Sequence, residues 1–170
     1  MRIVPRCSGL LKDKIFSFFR KKEFVRFRDP LGNFEIFYPS GWKFDRDVAV
    51  VDGKYCIAFE TRNKSFAIAV DAALPEKFSF SKYAKQELES PSSGIIADIK
   101  KEKFRGFPAY RREYRYESGG KTFLGGGLMF FTGRTVFSLT WAAPADEKKL
   151  PFEHMIKTLA VREGFNLASR

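Results

Sequence analysis

The chain has 170 residues, 44% of them apolar with 20 Phe, and carries 31 Lys and Arg against 20 Asp and Glu, a formal net charge of +11. That length suits one domain, and the apolar fraction can build a sizeable core, which excludes disorder of the main body. Two cysteines, one histidine and no apolar run near ~18 residues exclude a disulfide framework, a multi-histidine metal site and a spanning helix.

The positive charge is concentrated at the start. Residues 1–23 hold Arg2, Arg6, Lys12, Lys14, Arg20, Lys21 and Lys22 against Asp13 and Glu23, while the rest of the chain has an ordinary basic surface. Within LLKDKIFSFFRKK, Leu11, Ile15, Phe18 and Phe19 fall on one helical face. Lys12 interrupts that face, and Arg20, Lys21 and Lys22 suit a helix C-terminus. A helix of this kind packs on its own domain or a second copy, or lies in an anionic membrane interface. Leu11, Lys12, Ile15, Phe18, Phe19, Arg20, Lys21 and Lys22 are therefore the candidate membrane or partner contacts. Only Met1 to Arg6 precede Cys7, which leaves no hydrophobic signal region; a cytoplasmic location, peripheral to a membrane, is the expectation.

The next segments read as strands. Phe24–Arg28 and Phe34–Tyr38 flank Asp29-Pro30-Leu31-Gly32-Asn33, whose Pro, Gly and Asn each favour a turn. Tyr38-Pro39-Ser40-Gly41-Trp42 breaks the strand. Val48–Val51 and Lys54–Thr61 flank Asp52-Gly53, a two-residue hairpin signal. Ser65–Val70 follows, with Phe66, Ile68 and Val70 on one face. Residues 79–90 place Phe80, Tyr83, Ala84 and Leu88 on one side of a helix that Ser79 or Ser81 can cap and Pro91 follows. Ile95–Phe104 reads as one strand.

Residues 106–141 form a three-strand meander, punctuated by Ser118-Gly119-Gly120-Lys121 and Thr132-Gly133-Arg134. In its first strand Tyr110, Arg112, Tyr114 and Tyr116 share one face. Arg111, Glu113, Arg115 and Glu117 share the other, which reads as a solvated charge ladder. A final helix opens at Pro151 and carries Phe152, Met155, Ile156 and Leu159 as its apolar stripe, with Gly164 as its stop.

None of these segments carries self-evident chemistry. Glu117-Ser118-Gly119-Gly120-Lys121-Thr122 lacks the leading Gly of a phosphate loop, since Arg115 stands there, and a strand follows where a helix is required. Gly125-Gly126-Gly127 suggests a bulge or close packing under the final helix. His154, the sole histidine, reads as exposed, which leaves serine nucleophiles without a base. Cys56 reads as a buried thiol. Asp45, Asp47 and Asp52 lack the spacing of a calcium loop. Trp42, Tyr110, Tyr114, Tyr116 and Trp141 suit either core positions or a stacking platform for single-stranded nucleic acid. Asn63-Lys64-Ser65 is a formal glycosylation sequon.

The order of a hairpin, Tyr38-Pro39-Ser40-Gly41-Trp42, short strands, helix 79–90, Gly106-Phe107-Pro108-Ala109-Tyr110-Arg111, Phe137-Ser138-Leu139-Thr140-Trp141 and a Phe-x-x-Met helix resembles the PsbP/Mog1-like family. The resemblance covers residues 24–165, leaving 1–23 as a basic extension and 166–170 as a tail. It implies an α+β fold, an α/β/α sandwich around a central antiparallel sheet. It also implies non-catalytic work: PsbP-type members help organise the oxygen-evolving side of photosystem II, Mog1 binds the Ran GTPase, and bacterial relatives include envelope lipoproteins. No family metal or partner residue has a matching position. The expectation is a protein-interaction or scaffolding domain without catalytic residues, cofactor or metal, tethered to a surface by its N-terminal helix. Peripheral membrane binding is the alternative, and nucleic-acid binding ranks below both.

Overall fold

The computed structural model describes residues 23–44, 50–89, 95–96 and 98–162. The first hairpin joins β1 (Phe24–Arg28) to β2 (Phe34–Pro39), with Phe27 opposite Ile36. Its turn is tied by the Asp29 carboxylate, which accepts from the backbone N–H of Leu31 at 3.1 Å and of Asn33 at 2.9 Å. Gly32 supplies the positive φ of 80° that the turn requires. Two residues, Lys43–Phe44, form β3. The Asp52-Gly53 turn also forms, both residues at positive φ, leading into β4 (Lys54–Glu60) and β5 (Ser65–Asp71). The strand expected at 48–51 contributes only a bridge from Val51 to Lys54, and Val48 and Ala49 lie outside the described residues. Instead β4 is flanked by β3, with Phe44 opposite Phe59, and by β5.

Helix α1 (Phe80–Glu89) follows. The strand expected over 95–104 divides into β6 (Ile95–Ile96) and β7 (Lys100–Phe104), both pairing with β8 (Phe107–Ser118) at different registers. The meander continues through β9 (Lys121–Phe131) and β10 (Val136–Pro144). Helix α2 (Phe152–Thr158) ends earlier than its apolar stripe suggests. Pro151 sits at its N-cap, Leu159 turns to extended backbone, and Ala160–Val161 forms β11 against β2. Gly164, the expected stop, lies outside the described residues.

Two antiparallel sheets result. The large one runs β3-β4-β5-β10-β9-β8-β6 with β7 also on β8, and the small one runs β1-β2-β11. Strand alternation sends Ile57, Phe59, Phe66, Ile68, Leu128, Phe130, Phe137, Leu139 and Trp141 to one face of the large sheet. There they meet Phe27, Phe34 and Ile36 of the small sheet and Phe152, Met155 and Ile156 of α2. Phe130 stacks on Phe137 at the centre, 5.0 Å between centroids and 6° from parallel. The opposite face buries Tyr110, Met129 and Val136 against Ala84 of α1, with Tyr83 and Leu88 alongside. Two hydroxyl contacts hold α1 there: Tyr110 donates to Ser81 Oγ at 3.0 Å, and Tyr83 donates to Asp71 at 3.4 Å. Helices on opposite faces of an antiparallel sheet are the expected α/β/α arrangement.

The glycine triplet makes no bulge. Gly125, Gly126 and Gly127 pair in unbroken register with Tyr114, Glu113 and Arg112 on β8 and with Ala142, Trp141 and Thr140 on β10. Their missing side chains make room for neighbours on both faces. A Cβ would stand 2.3 Å from the Tyr114 ring at Gly125, 2.3 Å from the Trp141 indole at Gly126, and 2.8 Å from Leu88 Cδ2 at Gly127. The helix that presses on the triplet is therefore α1, rather than the final helix.

Candidate functional site

Three surface features carry unassigned polar groups. The first is the outer face of the small sheet, where the alternation of Phe24-Val25-Arg26-Phe27-Arg28 turns Arg26 and Arg28 outward. Across the hairpin, Arg26 stands opposite Phe37 and Arg28 opposite Glu35. The Glu35 carboxylate accepts from Arg26 Nε at 3.0 Å and from Arg162 Nη2 at 2.8 Å, and pairs with Arg28 Nε at 3.3 Å. Arg26, with help from Arg162 and Arg28, holds the Glu35 carboxyl below the usual carboxylate range despite some desolvation. Three guanidinium groups around one carboxylate leave a positive excess, and Phe37 lies among them 40% exposed. At the edge of this face the Phe24 ring rests on the exposed imidazole of His154, centroids 4.0 Å apart.

The second feature is a cleft at the end of the large sheet, in two adjoining openings of about 850 and about 680 Å³ that share Asn63, Lys121 and Pro144. Its rim carries Arg62, Lys64, Lys121, Lys148 and Lys149 against Glu60, Asp146 and Glu147. One ion pair, Lys64 to Glu147 at 2.9 Å, crosses it. One wall is aromatic: Tyr116 stacks on Phe123 at 5.3 Å and 14°, and Tyr114 continues the row 5.9 Å from Tyr116.

The third feature is a contrast between neighbours on β8. Arg111 is not part of a solvated ladder. Its guanidinium lies 5.7 Å from the Trp141 ring and pairs with Glu102 and Glu153, at 3.3 and 3.2 Å. Arg112, on the other face, is only 6% exposed and has no ion pair among the described residues; the Nε of both arginines is buried without a hydrogen bond.

A buried polar network elsewhere is structural in character. Tyr55 donates its hydroxyl to Asp29, and Asn33 Nδ2 donates to the Tyr55 oxygen at 2.8 Å. Burial and the adjacent Asp29 carboxylate push the Tyr55 phenol far above its ordinary value.

The residues singled out in the sequence distribute as follows. Leu11, Lys12, Ile15, Phe18, Phe19, Arg20, Lys21 and Lys22 lie outside the described residues, as do Asp45 and Asp47. The five aromatics do not share one surface. Trp141 is buried in the α2-side core with Trp42 packed beside it, Tyr110 is buried on the α1 side, and Tyr114 and Tyr116 are half-buried there. Cys56 is exposed on the α1-side face rather than buried, although partial desolvation still raises its thiol pKa. Ser118 to Lys121 is a β-turn between paired strands, with Gly119 and Gly120 at positive φ. Among the described residues no group of three or more His, Cys, Asp or Glu could hold a metal ion, and no helix is long and apolar enough to cross a membrane. Sequence reasoning missed the Arg26, Arg28 and Arg162 cluster, although Arg alternating with Phe in β1 was its visible sign. It also placed Arg112 on the tyrosine face without registering that a cation there would be buried.

No family model matches the chain, and no curated protein matches it in sequence. Solved structures do match. The solution structure of cyanobacterial PsbP (CyanoP) from Synechocystis superposes with a TM-score of 0.59 at 13% identity, covering 94% of this chain and 99% of that one. LpqN of Mycobacterium tuberculosis, described as involved in cell envelope biogenesis, gives 0.50 at 12% identity over 86% of this chain and 96% of that one. A Bacteroides thetaiotaomicron protein gives 0.54 at 18% identity over 83% of this chain, which spans about half (49%) of that protein's length. The chain thus has the PsbP/Mog1-like α+β fold that its sequence resembles.

Proposed function

We propose that this domain is a non-catalytic protein-interaction or scaffolding module, and that its partner docks on the outer face of the small sheet. The observation that carries the reading is Phe37, 40% exposed beside Arg26, Arg28 and Arg162, whose charges outnumber that of Glu35. Aromatic and arginine side chains are the types enriched where binding energy concentrates. An apolar side chain set among surplus cations fits a partner face with an apolar residue bordered by carboxylates, which also speeds encounter. The PsbP/Mog1-like fold supports the reading because the family resemblance implies non-catalytic assembly work.

The test is affinity capture with the full chain and with a Phe37→Ser, Arg28→Glu double variant. A partner identified with the first and lost with the second is the expected result. Equal capture by both removes the small-sheet face from the proposal. Turnover of a substrate by the purified protein, abolished by one cleft substitution, would end the non-catalytic reading.

A second reading rests on the sequence pattern of residues 11–22. Leu11, Ile15, Phe18 and Phe19 at helical spacing beside Lys12, Arg20, Lys21 and Lys22 suit attachment of a cytoplasmic protein to an anionic membrane surface. Flotation with anionic liposomes, with and without residues 1–23, tests it. Equal binding, or none, counts against the tether.

A further inference from the structure

The cleft at the end of the large sheet gathers more cations than its acids neutralise. Of the acidic side chains that line it, Glu147 is paired with Lys64 at 2.9 Å, and Glu60 stands opposite Lys43 across β3 and β4. Asp146 remains to face Arg62, Lys121, Lys148 and Lys149, all four exposed and none in an ion pair among the described residues. Lys121 belongs to both openings of the cleft. The surplus charge therefore runs from the turn between β4 and β5, which carries Arg62, to the segment after β10, which carries Lys148 and Lys149.

The same groove has a flat apolar side. Tyr116 and Phe123 are register partners on β8 and β9, stacked at 5.3 Å and 14°, and both are only half-buried where they line the smaller opening. They stand on the α1-side face of the sheet, but α1 packs farther along the strands, over Tyr110, Met129 and Val136. Ala142 and Ser65, small residues lining the same opening, keep the floor beside the rings low.

We infer that this groove binds single-stranded nucleic acid, with phosphates on Arg62, Lys121, Lys148 and Lys149 and an unpaired base against the Tyr116–Phe123 shelf. Exposed cations that follow a backbone beside an aromatic platform hold a single strand without reading its sequence. A small ligand needs a site that buries most of its surface, whereas a polymer needs only a track along it. A duplex has the phosphates but keeps its bases stacked, so it can engage the lysines and not the rings. The net charge of +11 further favours encounter with a polyanion. The groove shares no residue with the partner face proposed on the small sheet, so either can fail without the other.

Fluorescence anisotropy of the full chain with a fluorescein-labelled oligo-thymidylate of about 12 nucleotides, within the site sizes of such grooves, tests this. Saturable binding at low salt is expected, with log K falling against log salt at a slope of about −3, as four phosphate contacts on a single strand give. Lys148→Gln combined with Lys149→Gln should weaken binding and roughly halve that slope. Tyr116→Leu keeps an apolar side chain on the strand but removes the ring, and should cost roughly tenfold in affinity with the slope unchanged. Lys103→Gln, exposed on β7 at the other end of the β8 ladder, should change neither. Absence of saturable binding at low salt overturns the inference. So does binding that the lysine variants leave unchanged, a comparison that stands even where Tyr116→Leu fails to fold. A duplex of the same length binding as tightly, or polyglutamate displacing the strand at equal charge, also overturns it, assigning the groove to polyanions in general or to an acidic protein.

Discussion

The Trp141 indole occupies the space that a side chain on Gly126 would need: a Cβ there would come within 2.3 Å of Cζ2 and 2.5 Å of Cε2. The two residues are register partners on β9 and β10, so strand pairing itself forces the approach. Trp141 is 8% exposed and wedged against Phe152 and Arg111, and it has no room to retreat. Gly126→Ala should destabilise by about 1–3 kcal/mol, the usual cost of overpacking. Gly125→Ala should cost less, since the ring it would strike belongs to half-buried Tyr114, which can swing outward. Urea unfolding of the two variants side by side gives the ordering; equal losses would contradict it.

Gly127 and Leu88 should be energetically coupled. A methyl on Gly127 would meet Leu88 Cδ2 at 2.8 Å, so the Leu88 side chain that packs α1 on the sheet must shift. Gly127→Ala alone is expected to destabilise, and Leu88→Ala in the same chain should recover part of the loss. Residues in contact give coupling of about 0.5–3 kcal/mol in a double-mutant cycle. Additivity of the two changes would mean that α1 does not rest on Gly127.

Tyr55 ties the first turn to β4 through Asp29 and Asn33. Tyr55→Phe removes the shared hydroxyl, taking a donor from the Asp29 carboxylate and the acceptor from Asn33 Nδ2, a loss of about 1–3 kcal/mol. The same group sets an alkaline limit. Its folded pKa is raised, so the folded state holds the proton more tightly than the unfolded chain, where a phenol titrates near about 10. The associated stability is complete below that value and is lost as pH rises above it. Tyr83 and Tyr114, also raised by desolvation, act in the same direction. Thermal melts between neutral and strongly alkaline pH should show this fall, and Tyr55→Phe should flatten it.

Phe37 should separate binding from stability. It is exposed, so Phe37→Ser is expected to change unfolding free energy by no more than about 0.5 kcal/mol. Its effect on partner affinity should be tenfold or more. A large loss of stability, measured by chemical unfolding, would assign the residue a packing role instead.

Local signals carried much of the fold. Asp29 to Asn33 and Asp52-Gly53 marked turns because their backbone conformations need those residue types. The 3.6-residue spacing of Phe80, Tyr83, Ala84 and Leu88 marked α1, since only one face of that helix is covered. What stayed hidden depended on contacts distant in sequence. Ala160-Val161 is a strand only because β2 offers it an edge, and two residues hold no periodicity to read. The glycine triplet looked like a bulge because its reason, rings from Tyr114 and Trp141, lies on neighbouring strands. Cys56 alternates with buried Tyr55 and Ile57, but it stands on the α1-side face of the sheet, where it is left exposed. The burial of Arg112 was implicit in its place between Tyr110 and Tyr114; that no ion pair meets it among the described residues was not.

The sheet order also constrains how the chain reaches this structure. β8, β9 and β10 pair with immediate neighbours, so the meander can form from local encounters. The pairing of β10 with β5 closes a loop that contains α1 and β6 to β9, and β11 must find β2 from nearly the opposite end of the chain. Such non-local closures make folding slow, in the range of about milliseconds to seconds for sheet-rich domains. The meander is the natural nucleus and the small sheet the last part to close. The outer strands that present Phe37 should therefore also be the first to open, exchanging their amide hydrogens well before the glycine-paired centre of β9 does.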